Sequence, residues 1–104
     1  MPSFDASFVG FITLDISGRP VDKVPDGGGI AFLDEIRMNP AGTIGGAVMN
    51  AAKLGIRCSA TFCVGDDEKG DFINDRFSRL GIDTSNAQRS ATVQTSTTDR
   101  KSVV

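Results

Sequence analysis

The sequence predicts an α/β fold built on a mainly parallel sheet, and three features support this. Residues 8–14 and 56–64 are short runs with the apolar content and spacing of β-strands. Two helix-like stretches each end in Leu-Gly-Ile, at Leu54 and again at Leu80. Glycine in that position ends a helix in the left-handed conformation, and the chain then enters a strand. Strands that alternate with helices are typical of βα units.

Size and charge restrict the function classes. The chain has 104 residues, which fits one small domain with a modest core. Its formal net charge is −2 and its Lys and Arg residues are scattered, so a nucleic-acid surface is not expected. No apolar run has the length of a membrane helix, and the N-terminus lacks a basic segment followed by a hydrophobic one. We therefore expect a cytoplasmic protein with no membrane or nucleic-acid partner.

The absence of histidine excludes Ser-His-Asp and Cys-His catalysis within this chain, and no metal site is predicted. Cys58 and Cys63 lie five residues apart on one predicted strand, so their side chains should point to opposite faces. A disulfide between them is therefore sterically disfavoured. Two buried, reduced thiols fit a reducing compartment.

The opening strand is apolar on both faces, as expected of a central parallel strand. Gly10 interrupts it, which indicates that another backbone or a ligand passes close. Asp15 is predicted to follow its carboxyl end, the edge where α/β sheets gather ligands. That carboxylate either binds hydroxyl groups or only satisfies backbone donors in a turn, and its position alone does not decide between them.

Residues 17–39 have the composition of a flap. Residues 17–20 and 25–29 read as turns, and residues 21–24 and 30–38 could be antiparallel strands standing off the main sheet. Residues 30–36 could instead be helical. The triple glycine is either a mobile loop or the hinge of a lid over a ligand site; its residues are Gly27, Gly28 and Gly29.

Glycines crowd the predicted start of the first helix, at Gly42, Gly45 and Gly46. Unpaired N–H groups at such a start can hold hydroxyls or anions without a charged residue. A dinucleotide-binding module is disfavoured, because no Gly-x-Gly-x-x-Gly follows the first strand. Further on, Asp67 is predicted to cap the second helix, whose inner face carries Ile73 and Phe77.

The end of the sequence is polar. Residues 91–98 are rich in threonine and have some strand propensity. A parallel sheet of a few strands with two helices would leave apolar faces and strand edges uncovered. The chain therefore looks truncated, and whether Val104 is its natural end stays open.

Four motifs at matching separations resemble the N-terminal third of a carbohydrate kinase of the ribokinase/PfkB family, in register over roughly residues 8–98. They are Pro40-Ala41-Gly42, Lys53-Leu54-Gly55, Val64-Gly65-Asp66-Asp67 with Gly70, and Leu80-Gly81-Ile82-Asp83-Thr84. The resemblance implies a ribokinase-like three-layer α/β sandwich, of which residues 1–104 supply only the N-terminal part. It also implies a small β lid at about residues 17–38.

The resemblance further implies an ATP-dependent kinase that phosphorylates a hydroxyl of a sugar or related small molecule. Asp15 matches the family's sugar-binding aspartate, and Thr13 a neighbouring contact position. Ala41 and Gly42 match the glycine pair that lets the substrate approach the backbone. The family's substrate-binding asparagine falls on Gly46, which has no side chain to offer.

ATP and Mg²⁺ are the cofactors that the resemblance implies. Their binding residues, and the catalytic aspartate, belong to a C-terminal half that is not in this sequence, so no catalytic residue is predicted here. The leading hypothesis is the acceptor-binding part of a sugar kinase. The alternative is an inactive remnant that acts as a binding module or forms a homodimer through its lid. Residues 99–101 bear only a faint likeness to the family's lid strand.

Overall fold

The computed structural model describes residues 3–101, so the expectation about the chain end at Val104 lies outside the described residues. Strands and helices alternate over most of this range. In order they are β1 (Ala6–Val9), β2 (Ile12–Arg19), β3 (Glu35–Ala41), α1 (Gly42–Lys53), β4 (Cys58–Thr61), β5 (Cys63–Gly65), α2 (Glu68–Arg79), β6 (Gln88–Ser90) and β7 (Thr97–Lys101). Within residues 3–101, neither helix has the length and hydropathy needed to cross a bilayer.

The main sheet is parallel. β1 pairs with β4, and β5 pairs with β6. β4 and β5 form one extended run that is interrupted at Phe62. An isolated parallel bridge joins Ser59 of β4 to Asp83, which lies between α2 and β6, and so links the two pairs of strands. The prediction of a parallel sheet built from βα units is therefore confirmed.

A second sheet has three strands and includes parts of the segment predicted as the lid, so we call it the lid sheet. β2 is its central strand, antiparallel to β3 and parallel to β7. β1 and β2 are separated only by Gly10 and Phe11, so one run of backbone serves both sheets.

The start of α1 causes the break between β1 and β2. The Thr43 hydroxyl accepts a hydrogen bond from the N–H of Phe11 at 3.0 Å and donates to its carbonyl at 3.2 Å. A Cβ on Gly10 would lie 2.5 Å from Thr43 Oγ1. Gly10 is thus approached by side chains of this helix, and not by the backbone or ligand that the sequence indicated.

Both helices end as their sequences predict. Gly55 and Gly81 follow them with φ of +89° and +75°, the left-handed conformation that glycine adopts without steric cost. α2 is capped by the Asp67 side chain, whereas no side chain caps α1.

The core lies between the helices and one face of the main sheet. Phe77 of α2 is fully buried and meets Phe62 edge-on, with ring centroids 5.5 Å apart. α1 contributes Val48, also fully buried. The remaining buried apolar residues are Ile12, Leu14, Ile44, Met49, Cys58, Ala60, Val64, Ile73 and Ile82.

Two predictions about residues 15–20 are wrong. Asp15 lies inside β2 rather than beyond the end of a strand, and Ser17–Arg19 continue that strand rather than forming a turn. The reason is that β3 and β7 supply hydrogen-bonding partners on both sides of β2. Residues 25–29 do form a turn, in which the Gly29 N–H donates to the Asp26 carbonyl at 2.8 Å.

The flap is only partly as expected. Residues 35–38 belong to an antiparallel strand, but residues 21–24 and 30–34 form neither strand nor helix. Cys63 is exposed, so the expectation of two buried thiols is wrong for it, although both cysteines are free. β7 includes residues 99–101, so the lid strand that the sequence barely indicated is present.

Two helical glycines should respond oppositely to alanine. A Cβ on Gly70 would collide with the backbone carbonyl of Gly65, whereas one on Gly46 would meet nothing within 4 Å. We expect Gly70→Ala to cost roughly 1–3 kcal/mol through overpacking. Gly46→Ala, its matched control, should gain about 0.5–1 kcal/mol from helix propensity. Urea unfolding followed by circular dichroism measures both, and equal effects would contradict the described packing.

Candidate functional site

One face of β2 carries two of the residues that the sequence singled out, Thr13 and Asp15. Ile12 and Leu14 are buried in the core, so Thr13 and Asp15, which alternate with them, point away from it. Ala41 lies opposite Thr13 on β3, and Thr98 lies opposite Asp15 on β7. Because paired residues in a sheet share a face, these four side chains form one group, which we call the acceptor face.

Asp15 is flanked by a neighbour on each adjacent strand. The Thr98 hydroxyl donates a hydrogen bond to its Oδ1. Asn39 faces it from β3, and the Asn39 side-chain oxygen accepts a hydrogen bond from the Arg76 guanidinium of α2 at 3.3 Å. The carboxylate is half-buried. It is therefore oriented by the lid sheet while still in contact with solvent.

The helix start beside this face is built from small residues. Ala41 is extended as the N-cap of α1, and the first turn contains no acidic residue. A Cβ on Gly42 would lie 2.7 Å from the Phe11 carbonyl oxygen, and one on Gly45 would lie 2.9 Å from the Pro40 carbonyl carbon. Those two glycines are required by packing within the chain. At Gly46, by contrast, the surface is open.

The lid glycines occupy the exposed loop between β2 and β3. Gly28 has φ of +80°, which explains a glycine in that turn. A Cβ on Gly27 or Gly28 would meet no other residue within 4 Å, and one on Gly29 would meet only its own turn, at Pro25 and Asp26. The structure thus places Gly27, Gly28 and Gly29 in a loop of their own, and it brings Thr13, Asp15, Ala41 and Gly42 together.

A second polar cluster surrounds the turn before α2. The Asp67 carboxylate accepts hydrogen bonds from the Gly70 N–H at 2.8 Å, the Thr95 N–H at 2.9 Å and the Thr95 hydroxyl at 2.6 Å. These bonds, above all the one from the Thr95 hydroxyl, lower the pKa of Asp67 from 3.8 to about 2. The carboxylate is therefore held in its charged form.

Arg89 encloses the same turn from β6. Its guanidinium donates to the carbonyls of Gly65 at 2.9 Å and Asp67 at 3.1 Å, and to the Asp71 carboxylate at 2.8 Å. Between this turn and residues 90–94 lies a small open hollow. The Gly-Asp-Asp segment is thus held from both sides by side chains of the later chain.

The described residues do not fit an ATP–Mg²⁺ site. At the start of α2, the Asp67 cap and the acidic residues Glu68 and Asp71 would repel phosphate groups. At the start of α1, the Thr43 N–H already donates to the Phe11 carbonyl. Within residues 3–101, no group of three or more Cys, Asp or Glu side chains could hold a metal ion.

Sequence reasoning missed Thr95, Thr98 and Arg89. The threonine-rich segment indicated a strand, but nothing local indicated that Thr98 pairs with Asp15 across 83 positions. Arg89 was counted only as one scattered cation. A threonine-rich stretch followed by a charged one is the signal that could have indicated a strand on the polar side of the lid.

Comparison with known proteins gives a consistent result. A family model described as pfkB family carbohydrate kinase matches residues 9–99. No curated protein sequence matches the chain significantly. Among solved structures, the chain is similar to one described as a ribokinase II from E. coli in complex with ATP and Mg²⁺, with TM-score 0.77 and 22% identity; the match covers 93% of this chain and 30% of that one.

Two further structures give similar values. A PfkB protein from Polaromonas sp. JS666 has TM-score 0.78 and 20% identity, over 98% of this chain and 32% of its own. A protein described as a ribokinase from Agrobacterium tumefaciens has TM-score 0.72 and 29% identity, over 90% and 30%. The fold is therefore ribokinase-like, and the chain spans about a third or less of the length of these neighbours.

The Asp67 cluster should make stability depend on pH at the acid end. Because the pKa of Asp67 is lower in the folded chain than its ordinary value of 3.8, its contribution is present above that value and is lost as pH falls towards about 2. Asp67→Asn should be less stable than the wild type at neutral pH and should lose less stability over this window. Asp75→Asn, a change at the surface pair with Arg79, should keep the wild-type slope. Urea unfolding at a series of pH values tests this, and identical slopes for all three proteins would refute it.

Proposed function

The chain belongs to the pfkB family of carbohydrate kinases, and from that premise we propose that it is the acceptor-binding, N-terminal part of an ATP-dependent sugar kinase. Residues 1–104 would then be part of one larger kinase domain, with a lid formed at about residues 17–38. The acceptor would be a sugar or related alcohol, and the reaction a phosphoryl transfer to one of its hydroxyl groups.

The acceptor face is the observation that carries this proposal. Asp15 presents a half-buried carboxylate, and its neighbours on the same face are the hydroxyl-bearing Thr13 and Thr98. A carboxylate accepts hydrogen bonds from hydroxyls, and bonds to a charged acceptor are stronger than bonds between neutral groups. The surface at Gly46, in the first turns of the helix that begins beside this face, is open.

ATP and Mg²⁺ enter the proposal from the family. Phosphoryl transfer depends on positioning the acceptor and neutralising charge on the transferred group. In this chain Asp15 and the start of α1 would orient the acceptor, and the lid would exclude water. Because the described residues do not fit the nucleotide or the metal, we propose that both are held by other parts of the kinase. The chain alone would then not transfer a phosphoryl group.

The alternative, a module that pairs through its lid, has one specific observation in its favour. The face of the lid sheet opposite the acceptor face is apolar and includes Ile16, Ile36 and Met38. Ile36 is 64% exposed and Met38 is 42% exposed. A second copy of the chain could cover this face and form a homodimer.

We also propose a cytoplasmic location, since Cys58 and Cys63 are free thiols.

Sugar binding is the direct test of the acceptor face. ¹⁵N-labelled chain titrated with D-ribose and with D-fructose should show amide shifts at residues 13–15 and 41–46. Loss of hydrogen bonds to a charged acceptor should make Asp15→Asn bind roughly tenfold or more weakly. Asp75→Asn, at the surface of α2, should bind like the wild type. Shifts confined to other residues, or equal affinity of Asp15→Asn and the wild type, would count against the proposed site.

Self-association tests the alternative. We expect the wild type to show a concentration-dependent sedimentation coefficient, because association covers the apolar face of the lid. Met38→Glu should remain monomeric, since it places a charge on that face. Val93→Glu, at a more exposed apolar position before β7, should associate like the wild type. A wild type that stays monomeric at every concentration would rule out pairing through the lid.

A further inference from the structure

The Asp67 carboxylate receives more hydrogen bonds than helix capping requires. A cap needs one or two backbone N–H donors from the first turn, and the Gly70 N–H supplies that contact. The other two donors come from Thr95, which is 28 positions away along the chain. Asp67 therefore joins the start of α2 to the segment that precedes β7.

Thr95 is the centre of this junction and is only 4% exposed. Its hydroxyl donates to Asp67 Oδ1 at 2.6 Å and accepts from the Gly65 N–H at 2.9 Å. One hydroxyl thus satisfies partners on both sides of the turn between β5 and α2. Valine, which has the same shape, would remove this partner from the Asp67 acceptor and from the buried Gly65 donor, and an unsatisfied buried donor is costly.

The lid strand begins directly after this anchor. The Ser96 carbonyl accepts a hydrogen bond from the Leu14 N–H at 2.8 Å, Thr97 lies opposite Leu14, and Thr98 lies opposite Asp15. Only two residues separate Thr95 from Thr98. Because Thr95 is held by its hydrogen bonds, β7 has little freedom to shift along β2. A slip of one residue would turn the Thr98 side chain to the other face of the sheet.

We propose that Asp67 and Thr95 form a latch that fixes the register of β7 on β2 and thereby holds the Thr98 hydroxyl against Asp15. Thr95 and Asp67 are positioning residues, because they act on Asp15 through the strand rather than by touching a ligand. The value of this positioning for acceptor binding rests on the proposed function. The latch itself does not, since it is a property of the chain without any ligand.

Hydrogen exchange of single amides tests the latch. The Leu14 amide reports on β7, because it donates to Ser96, whereas the Ala60 amide donates to Asp83 and reports on the main sheet. In Thr95→Val, exchange at Leu14 relative to Ala60 should accelerate roughly tenfold, the size expected for one lost buried hydrogen bond. Thr95→Ser keeps the hydroxyl and should restore a ratio close to that of the wild type.

Thr98→Val is the control that shows whether the effect runs from Thr95 to β7 and not in reverse. It removes the hydroxyl at the far end of the latch, so it should leave exchange at the Gly65 and Thr95 amides at the wild-type rate. Thr95→Val should accelerate exchange at the Gly65 amide, which loses its acceptor. Asp67→Asn should accelerate exchange at the Thr95 amide. If Asp67 serves only as the cap of α2, Thr95→Val will leave the ratio of Leu14 to Ala60 unchanged, and the latch is then refuted.

A measurement on the wild type covers the case in which a variant fails to fold. In low concentrations of denaturant, the opening that exposes the Gly65 and Thr95 amides should also expose the Leu14 amide, because release of the latch releases β7. The opening free energy at Leu14 should therefore not exceed that at Thr95. A clearly higher opening free energy at Leu14 than at Thr95 would overturn the proposal, because β7 would then stay paired after the latch opens. Failure to bind D-ribose or D-fructose would instead count against the proposed function and leave these exchange results intact.

Discussion

The two sheets share one run of backbone, and the rest of the structure depends on how that run is fixed. At Phe11 both the N–H and the carbonyl bond to Thr43, so the run stops pairing in the parallel sheet and resumes in the lid. Because Thr43 lies in the first turn of α1, helix, sheet and lid meet at one point. The close approach requires glycine at positions 10 and 42, where a Cβ would intrude on the opposing segment. The acceptor face is a consequence of this junction.

The parts of the fold that depend on near neighbours could be predicted from the sequence. Asp67 caps α2, and Gly55 and Gly81 end the two helices in the left-handed conformation. Such signals depend on residues within about four positions, so a single sequence contains all the information they need. The buried faces of the helices follow from spacing for the same reason, as Ile73 and Phe77 illustrate.

The parts that depend on distant partners could not be predicted. The sequence placed Asp15 beyond a strand, because no nearby residue indicates that β3 and β7 pair with β2 on its two sides. Thr95 looked like part of a polar tail, since its partners Gly65 and Asp67 are about thirty positions away. Cys63 looked buried because strand spacing gives alternation but not which face remains exposed. The sequence thus singled out Thr13, Asp15 and Ala41, which the sheet pairing brings together, but it did not indicate that pairing.

The pairing of β2 with β7 has a consequence for folding during synthesis of the chain. The bond between Thr98 and Asp15 spans 83 positions, so β2 leaves the ribosome long before its partner exists. At synthesis rates of about 5–20 residues per second, that wait lasts on the order of 4–17 seconds. Contacts so distant in sequence also form slowly once both segments are present. During that interval the nascent chain exposes an unpaired edge of β2, and a chaperone that binds extended segments would find its target there.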